Sequence, residues 1–399
     1  MRSSVKFWNI LAAIVVAALL AACAPAATAP AGAPAADAAA TDSAATDSAA
    51  AADSRYPAET IKICVETFDS ADTQYQGVQQ YLNSLAEQVF NVEYIYSEKI
   101  ESAEQEIQFI ENCAAAGAKG LIAYYNVSKA QAVAKATELQ MYYWGTAEES
   151  DVYEANKTNP YYLGSVTLGS GDYDGMYAVT KAILDQGRTK LVFANGGADF
   201  GVTMFVNRKA GFQAAVDEAT SAGKTIEVTE VPGFPNESWF AAQGAALAKD
   251  IDAVVTSFSA DVWVQPITAA NKADQVIVGA FGAITDFYQQ AFDSGLVSAI
   301  AAEPTERFGI AVAQIVNAVD GNAAALQEGG APTNLPEELW VIKSKDEFAK
   351  VATFEAGAGR MEYSKELTKL VKDLNPDASI DTLKALIQAY SLESILQSK

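Results

Sequence analysis

The 399-residue sequence contains no histidine. That removes the commonest general base, the commonest zinc ligand and any Ser-His-Asp or Cys-His catalytic arrangement. Cysteine is scarce as well: Cys23, Cys64 and Cys113 form no Cys-x-x-Cys pair, which excludes zinc ribbons and thioredoxin-like motifs. Cations are heavily outnumbered, with 27 Lys and Arg against 50 Asp and Glu and a net charge of −23. Such a chain repels phosphate backbones and anionic headgroups, so nucleic acid is excluded as a partner. Long apolar runs are also missing, apart from residues 10–22. What remains is a length that points to two domains and a half-hydrophobic composition able to fill a large core.

Arg2 and Lys6 precede that single apolar run, the layout of a secretory signal and too short for a confident membrane span. The run ends Leu20-Ala21-Ala22-Cys23, which resembles the lipobox of bacterial lipoproteins. The resemblance implies a signal peptide over residues 1–22, removed once Cys23 carries a thioether-linked diacylglycerol, and a stable anchor made by acyl chains. Residues 23–57 are almost entirely Ala, Pro, Thr, Asp and Ser, with Thr41-Asp42-Ser43-Ala44-Ala45 repeated immediately as Thr46-Asp47-Ser48-Ala49-Ala50. With no large apolar side chain before Tyr56 to offset the entropy of ordering, this stretch reads as a flexible tether.

From Ile61 onward short β-branched runs alternate with amphipathic stretches. Strands are expected at 61–66, 92–96, 120–125, 141–144, 161–166, 190–195, 225–231, 253–257, 276–281, 297–302 and 339–343. Ser102-x-x-Gln105 and Ser128-x-x-Gln131 read as capping boxes, and Gly117, Gly187 and Gly223 as left-handed helix stops. The alternation implies an α/β fold of parallel sheets with helices on both faces. Eleven strands favour two doubly wound sheets, hence two lobes, with function sought at the carboxyl ends of the strands.

Several segments carry a resemblance together. They are Lys62-Ile63-Cys64-Val65-Glu66-Thr67, Ala116-Gly117-Ala118-Lys119-Gly120-Leu121-Ile122 and Asn207-Arg208-Lys209-Ala210-Gly211-Phe212, then Val278-Gly279-Ala280-Phe281 and Leu296-Val297-Ser298-Ala299-Ile300-Ala301. In this order the chain resembles the type I periplasmic solute-binding proteins, in particular the ribose- and galactose-binding branch, across residues 61–343. The resemblance implies two hinged lobes joined by three crossovers near Gly164, Glu303 and Leu335. The N-lobe would comprise residues 58–163 and 303–335, and the C-lobe residues 164–302 and 336–345. Apolar positions such as Leu367, Leu370, Val371, Leu374, Leu383, Leu386, Ile387 and Tyr390 suggest two or three helices in residues 346–399, packed on the body. By the same resemblance the protein is a monomer without cofactor or metal, held outside the cell membrane by its N-terminal lipid. The resemblance also implies that it passes a small solute to an ABC permease.

Carried over position by position, the family's pocket falls on Phe68 and Tyr75 after the first strand and on Tyr124 or Tyr125 after the third. Gly145-Thr146 stand where many members have an Asp-Arg pair. In the second lobe the resemblance assigns Arg208 and Phe234, then Phe258 and Phe281 where a ribose binder has Asn and Asp, and Ala302 beside Glu303. An aromatic box with one Arg and one Glu suits a solute with flat or apolar faces. Carbohydrate is favoured, a nucleoside or other aromatic solute is the alternative, and a sensor lipoprotein passing closure to a signalling partner would use the same residues. Each ring also has an ordinary explanation in core packing, as do Trp144, Trp239 and Trp263. Cys64 and Cys113 are either a disulfide or two buried thiols, and spacing leaves both open. Glu66, Asp69, Asp72, Glu148 and Glu149 are scattered and match no catalytic motif, so no bond-breaking activity is expected.

Overall fold

The computed structural model describes residues 55–398 apart from positions 68, 168 and 337. The expected signal peptide, Cys23, nearly all of the tether, and Phe68 lie outside the described residues.

The first sheet is built from β1 (Tyr56–Thr67), β2 (Phe90–Tyr96), β3 (Gly120–Tyr124), β4 (Tyr142–Glu148) and β5 (Tyr162–Thr167). Between them run α1 (Thr73–Gln88), α2 (Ala103–Ala115), α3 (Lys129–Glu138) and α4 (Ser150–Asn156). The chain then crosses through α5 (Gly171–Asp185) into β6 (Lys190–Gly196), α6 (Thr203–Ser221), β7 (Glu227–Pro232) and α7 (Glu237–Leu247). It continues with β8 (Ala253–Thr256), α8 (Asp261–Ala269), β9 (Ile277–Gly282), α9 (Asp286–Asp293) and β10 (Val297–Ala302). From there α10 (Glu306–Val319) and β11 (Thr333–Pro336) return to the first lobe, and β12 (Trp340–Ile342) crosses back to the second. The sheet orders are β11-β5-β4-β3-β1-β2 and β12-β10-β9-β8-β6-β7, all parallel except β12 against β10. Two doubly wound lobes with three crossovers are therefore present, as expected. β3 and β8 are buried at every position because helices cover both faces.

The structure departs from the sequence expectation at four places. β11 was not foreseen, so the described residues hold twelve strands. β1 begins at Tyr56, inside the stretch read as tether, because the Tyr56 hydroxyl, its one proton shared between Asp320 Oδ2 (2.7 Å) and Asp373 Oδ2 (2.9 Å), ties the strand down. The first crossover follows Thr167, since all of β5 pairs with β4 and β11. The extension comprises four helices, α11 (Lys345–Ala356), α12 (Ala358–Glu366), α13 (Ile380–Ala389) and α14 (Leu392–Gln397), plus a 3-10 turn at Leu367–Leu370. Leu367, Leu370, Val371, Leu383, Leu386 and Tyr390 are buried there, whereas Leu374 is exposed.

Gly117, Gly187 and Gly223 all have φ near +80 to +90 at helix ends. Ser102 Oγ accepts from Gln105 N (3.3 Å), and Gln105 Oε1 accepts from Glu101 N (2.7 Å), one residue earlier than a capping box requires. The Ser128 hydroxyl caps nothing; its backbone N–H instead donates to the Glu106 carboxylate (2.7 Å). Cys64 on β1 and Cys113 on α2 are joined by a disulfide, with Cα atoms 6.3 Å apart. All three tryptophans in question are core residues.

Candidate functional site

The carboxyl ends of strands from both sheets face a cavity of about 300 Å³. Tyr124, Tyr125, Arg208, Phe234, Phe258, Phe281 and Glu303, out of the ten positions carried over, line it. The cavity opens into a second compartment of about 710 Å³ that shares Tyr125, Met204, Phe205 and Phe234.

On the first lobe, Tyr125 follows β3 with φ +45, a left-handed backbone that a bulky residue rarely adopts. Its N–H donates to Thr146 Oγ1 (3.2 Å), whose hydroxyl donates to the Ala123 carbonyl (3.1 Å). Thr146 is therefore a buried brace for the loop and does not line the cavity. Tyr75 is likewise off the cavity: it lies wholly buried beneath Tyr124, with ring centroids 5.3 Å apart. The Tyr125 ring meets the Tyr124 ring edge-on at 4.7 Å, and its hydroxyl donates to Glu303.

On the second lobe, Phe234 follows β7 after Gly233 (φ +81) and stays 42% exposed, its ring edge-on to Phe205 at 5.2 Å. Phe258 sits beside it at 6.5 Å. Tyr288 ties the neighbouring strand ends, donating to the Phe281 carbonyl (3.0 Å) and accepting from Ala260 N (3.0 Å). The Arg208 guanidinium lies over the Phe281 ring at 3.5 Å, donates to Asp172 Oδ1 (2.5 Å) and gives a second bond to the Ser257 carbonyl (2.7 Å). Its side chain is only 7% exposed. The arginine expected to meet the solute is thus largely occupied in holding α5, α6 and the end of β8 together.

Glu303 stands on the second crossover. It accepts from Gln74 Nε2 (3.0 Å) and lies 3.7 Å from Arg307 Nη1, so it links the hinge to α1 and to the Tyr125 loop. Among the carboxylates set aside above, Glu66 and Glu148 are fully buried away from the cavity. Burial, then the charges of Glu106 and Glu148, push the Glu66 carboxyl well above its ordinary value. Asp69 and Asp72, by contrast, line the cavity. Sequence reading gave them no binding role, although Asp72-x-x-Tyr75 is a legible N-cap: Asp72 Oδ1 accepts from Tyr75 N (2.8 Å).

Two six-stranded sheets, three crossovers and a cleft at the strand ends define the type I periplasmic-binding-protein fold. Solved structures share it. An ABC-transporter periplasmic solute-binding protein of Actinobacillus succinogenes 130z with bound D-allose aligns at a TM-score of 0.59 and 17% identity, over 72% of this chain and 99% of that one. A solute-binding protein of Bacillus halodurans C-125 with bound myo-inositol gives 0.55 and 15%, over 74% and 97%. The transcription regulator CcpA of Lactococcus lactis gives 0.54 and 14%, over 72% and 99%. At these identities the likeness is one of fold, and a fold hosts several functions. No family model matches the chain, and no curated protein matches its sequence. Among the described residues no helix is long and apolar enough to cross a membrane.

Proposed function

We propose that the chain is an extracytoplasmic solute-binding lipoprotein of an ABC import system, catching a single-ring solute by closing its lobes. The observation that carries this reading is the cavity itself: rings from both lobes, Tyr124 and Tyr125 together with Phe234 and Phe258, wall a space that hinge closure would seal. Its size suits one ring with substituents, and the similar structures hold D-allose and myo-inositol. A carbohydrate-like solute is the first reading. The density of rings favours a nucleoside or aryl solute as the second, because stacked faces recognise flat surfaces rather than hydroxyl patterns. The resemblance of Leu20-Ala21-Ala22-Cys23 to a lipobox supports lipid attachment at Cys23.

A thermal-shift screen over sugars, polyols, nucleosides and amino acids tests the reading, since a ligand held only by the folded form raises stability by RT ln(1 + [L]/Kd). The F234A/F258A variant is expected to lose the shift produced by any hit. A hit whose shift is unchanged in that variant would place the solute elsewhere. Labelled palmitate should enter the wild-type chain in cells and not the Cys23→Ala variant, and the loaded protein should stimulate its permease's ATPase.

A further inference from the structure

Within the cleft every described cation already has an anionic partner. Arg208 is paired with Asp172 (2.5 Å), Lys99 with Glu101 (2.7 Å) and Lys129 with Glu149 (3.2 Å), while Glu303 is faced by Arg307. Two carboxylates are left over, Asp69 and Asp72, which line the inner cavity and form no ion pair among the described residues. Asp69 Oδ1 accepts from Ala71 N at 3.0 Å and Asp72 Oδ1 from Tyr75 N at 2.8 Å. They share the cavity with Tyr124, Tyr125, Phe234 and Phe258, whose faces attract cations through the ring quadrupole. Two of the polar side chains lining it, Gln74 and Tyr125, donate to Glu303. The inner cavity therefore offers negative charge and π-faces on the same walls.

We propose that the cleft selects a solute bearing a protonated amine on a single ring, the ammonium at Asp69 and Asp72 and the ring among the aromatic side chains. This rests on the cleft being the solute site and adds the charge of its guest. An anionic solute is disfavoured because Arg208 is committed to Asp172. A neutral sugar could donate to the two aspartates but would bring no positive charge beyond what the α1 N-terminus already gives Asp72. Burial, followed by repulsion from Asp69 and Glu303, outweighs the stabilising backbone N–H groups of Tyr75 and Gln74 and raises the Asp72 carboxyl above its ordinary value. An ammonium would relieve that repulsion.

The test is calorimetric titration of the folded chain with two matched pairs, D-glucosamine against D-glucose and phenethylamine against 2-phenylethanol. In at least one pair the amine is expected to bind about tenfold or more tighter than its neutral partner, the range of a charge-assisted hydrogen bond. The D69N/D72N variant should abolish that preference; Asn caps a helix as well as Asp, so α1 is kept. A melting curve without ligand shows that the variant is folded, and D69N alone, which removes no cap, serves in its place if it is not. Equal or tighter binding of the neutral partner in both pairs overturns the proposal while leaving the solute-site reading intact. An amine preference that survives D69N/D72N overturns it as well. Silence from all four compounds also overturns it, and the broader thermal-shift screen then decides whether the cleft reading falls too.

Discussion

At the scale of single residues, burial decides what each polar group can do. Arg208 and Asp172, both buried, form a pair whose rupture leaves a carboxylate without its guanidinium, a change that typically costs about 3–5 kcal/mol. Loss of binding in an Arg208→Ala chain would therefore report a damaged lobe, and Phe234, partly exposed at the rim, is the better probe. Glu148 and Glu306 show the same principle through protons. Burial is the leading cause in both, pushing Glu148 from 4.5 up to about 7 and Glu306 from 4.5 up to about 8. The folded chain therefore keeps protons that the unfolded chain releases near pH 4.5, so this contribution is complete below that pH and is lost as pH rises to 7–8. The melting temperature is expected to fall between pH 5 and pH 8.5, and the Glu148→Gln variant should show a shallower fall. Part of the cavity was readable because Tyr125, Arg208, Phe234, Phe258 and Phe281 follow strand ends or sit on a motif helix. Asp69 and Asp72 also follow a strand end, that of β1, but the sequence offers them only as candidate catalytic carboxylates; that neither forms an ion pair among the described residues is visible only in three dimensions. Tyr75 and Thr146 were placed by position, but the helix turn and the strand pleat aim them into the interior.

At the scale of elements, close approach explains residues that motifs merely marked. Gly211 lets α6 cross α5: a Cβ there would sit 2.2 Å from the Tyr173 carbonyl oxygen, a backbone atom that cannot swing aside. The Gly211→Ala variant is expected to lose about 1–3 kcal/mol in urea denaturation, the usual range for overpacking. Gly164 plays the same part between β5 and β11, with φ +146 and the Thr333 carbonyl 2.2 Å from where its Cβ would be. That contact also explains why β11 escaped sequence reading. Its four residues end in proline and have no alternation long enough to register; β5 alone makes them a strand. The fully buried strands β3 and β8 are legible as unbroken apolar runs between helical stretches. The disulfide is not, because it depends on how α2 lies against β1 rather than on the 49-residue separation.

At the scale of the whole molecule, the C-terminal helices lie against both lobes. On the second lobe, Phe348 of α11 packs on Phe292 of α9 at 4.9 Å, and Lys345 reaches Asp293 at 3.4 Å. On the first, Asn317 of α10 donates to the Leu370 carbonyl (2.7 Å) and accepts from Lys372 N (2.8 Å). Freeing one attachment should widen the range of lobe angles. The Phe348→Ala variant is expected to show a larger radius of gyration in solution scattering without ligand; an unchanged value would mean that the crossovers alone fix the angle. A door with a spring screwed to both leaves has a resting position that its hinge pins do not dictate. Under the proposed function, gape, and with it the fraction of molecules poised to snap shut, becomes a trait that drift in the tail can tune while the mouth keeps its taste.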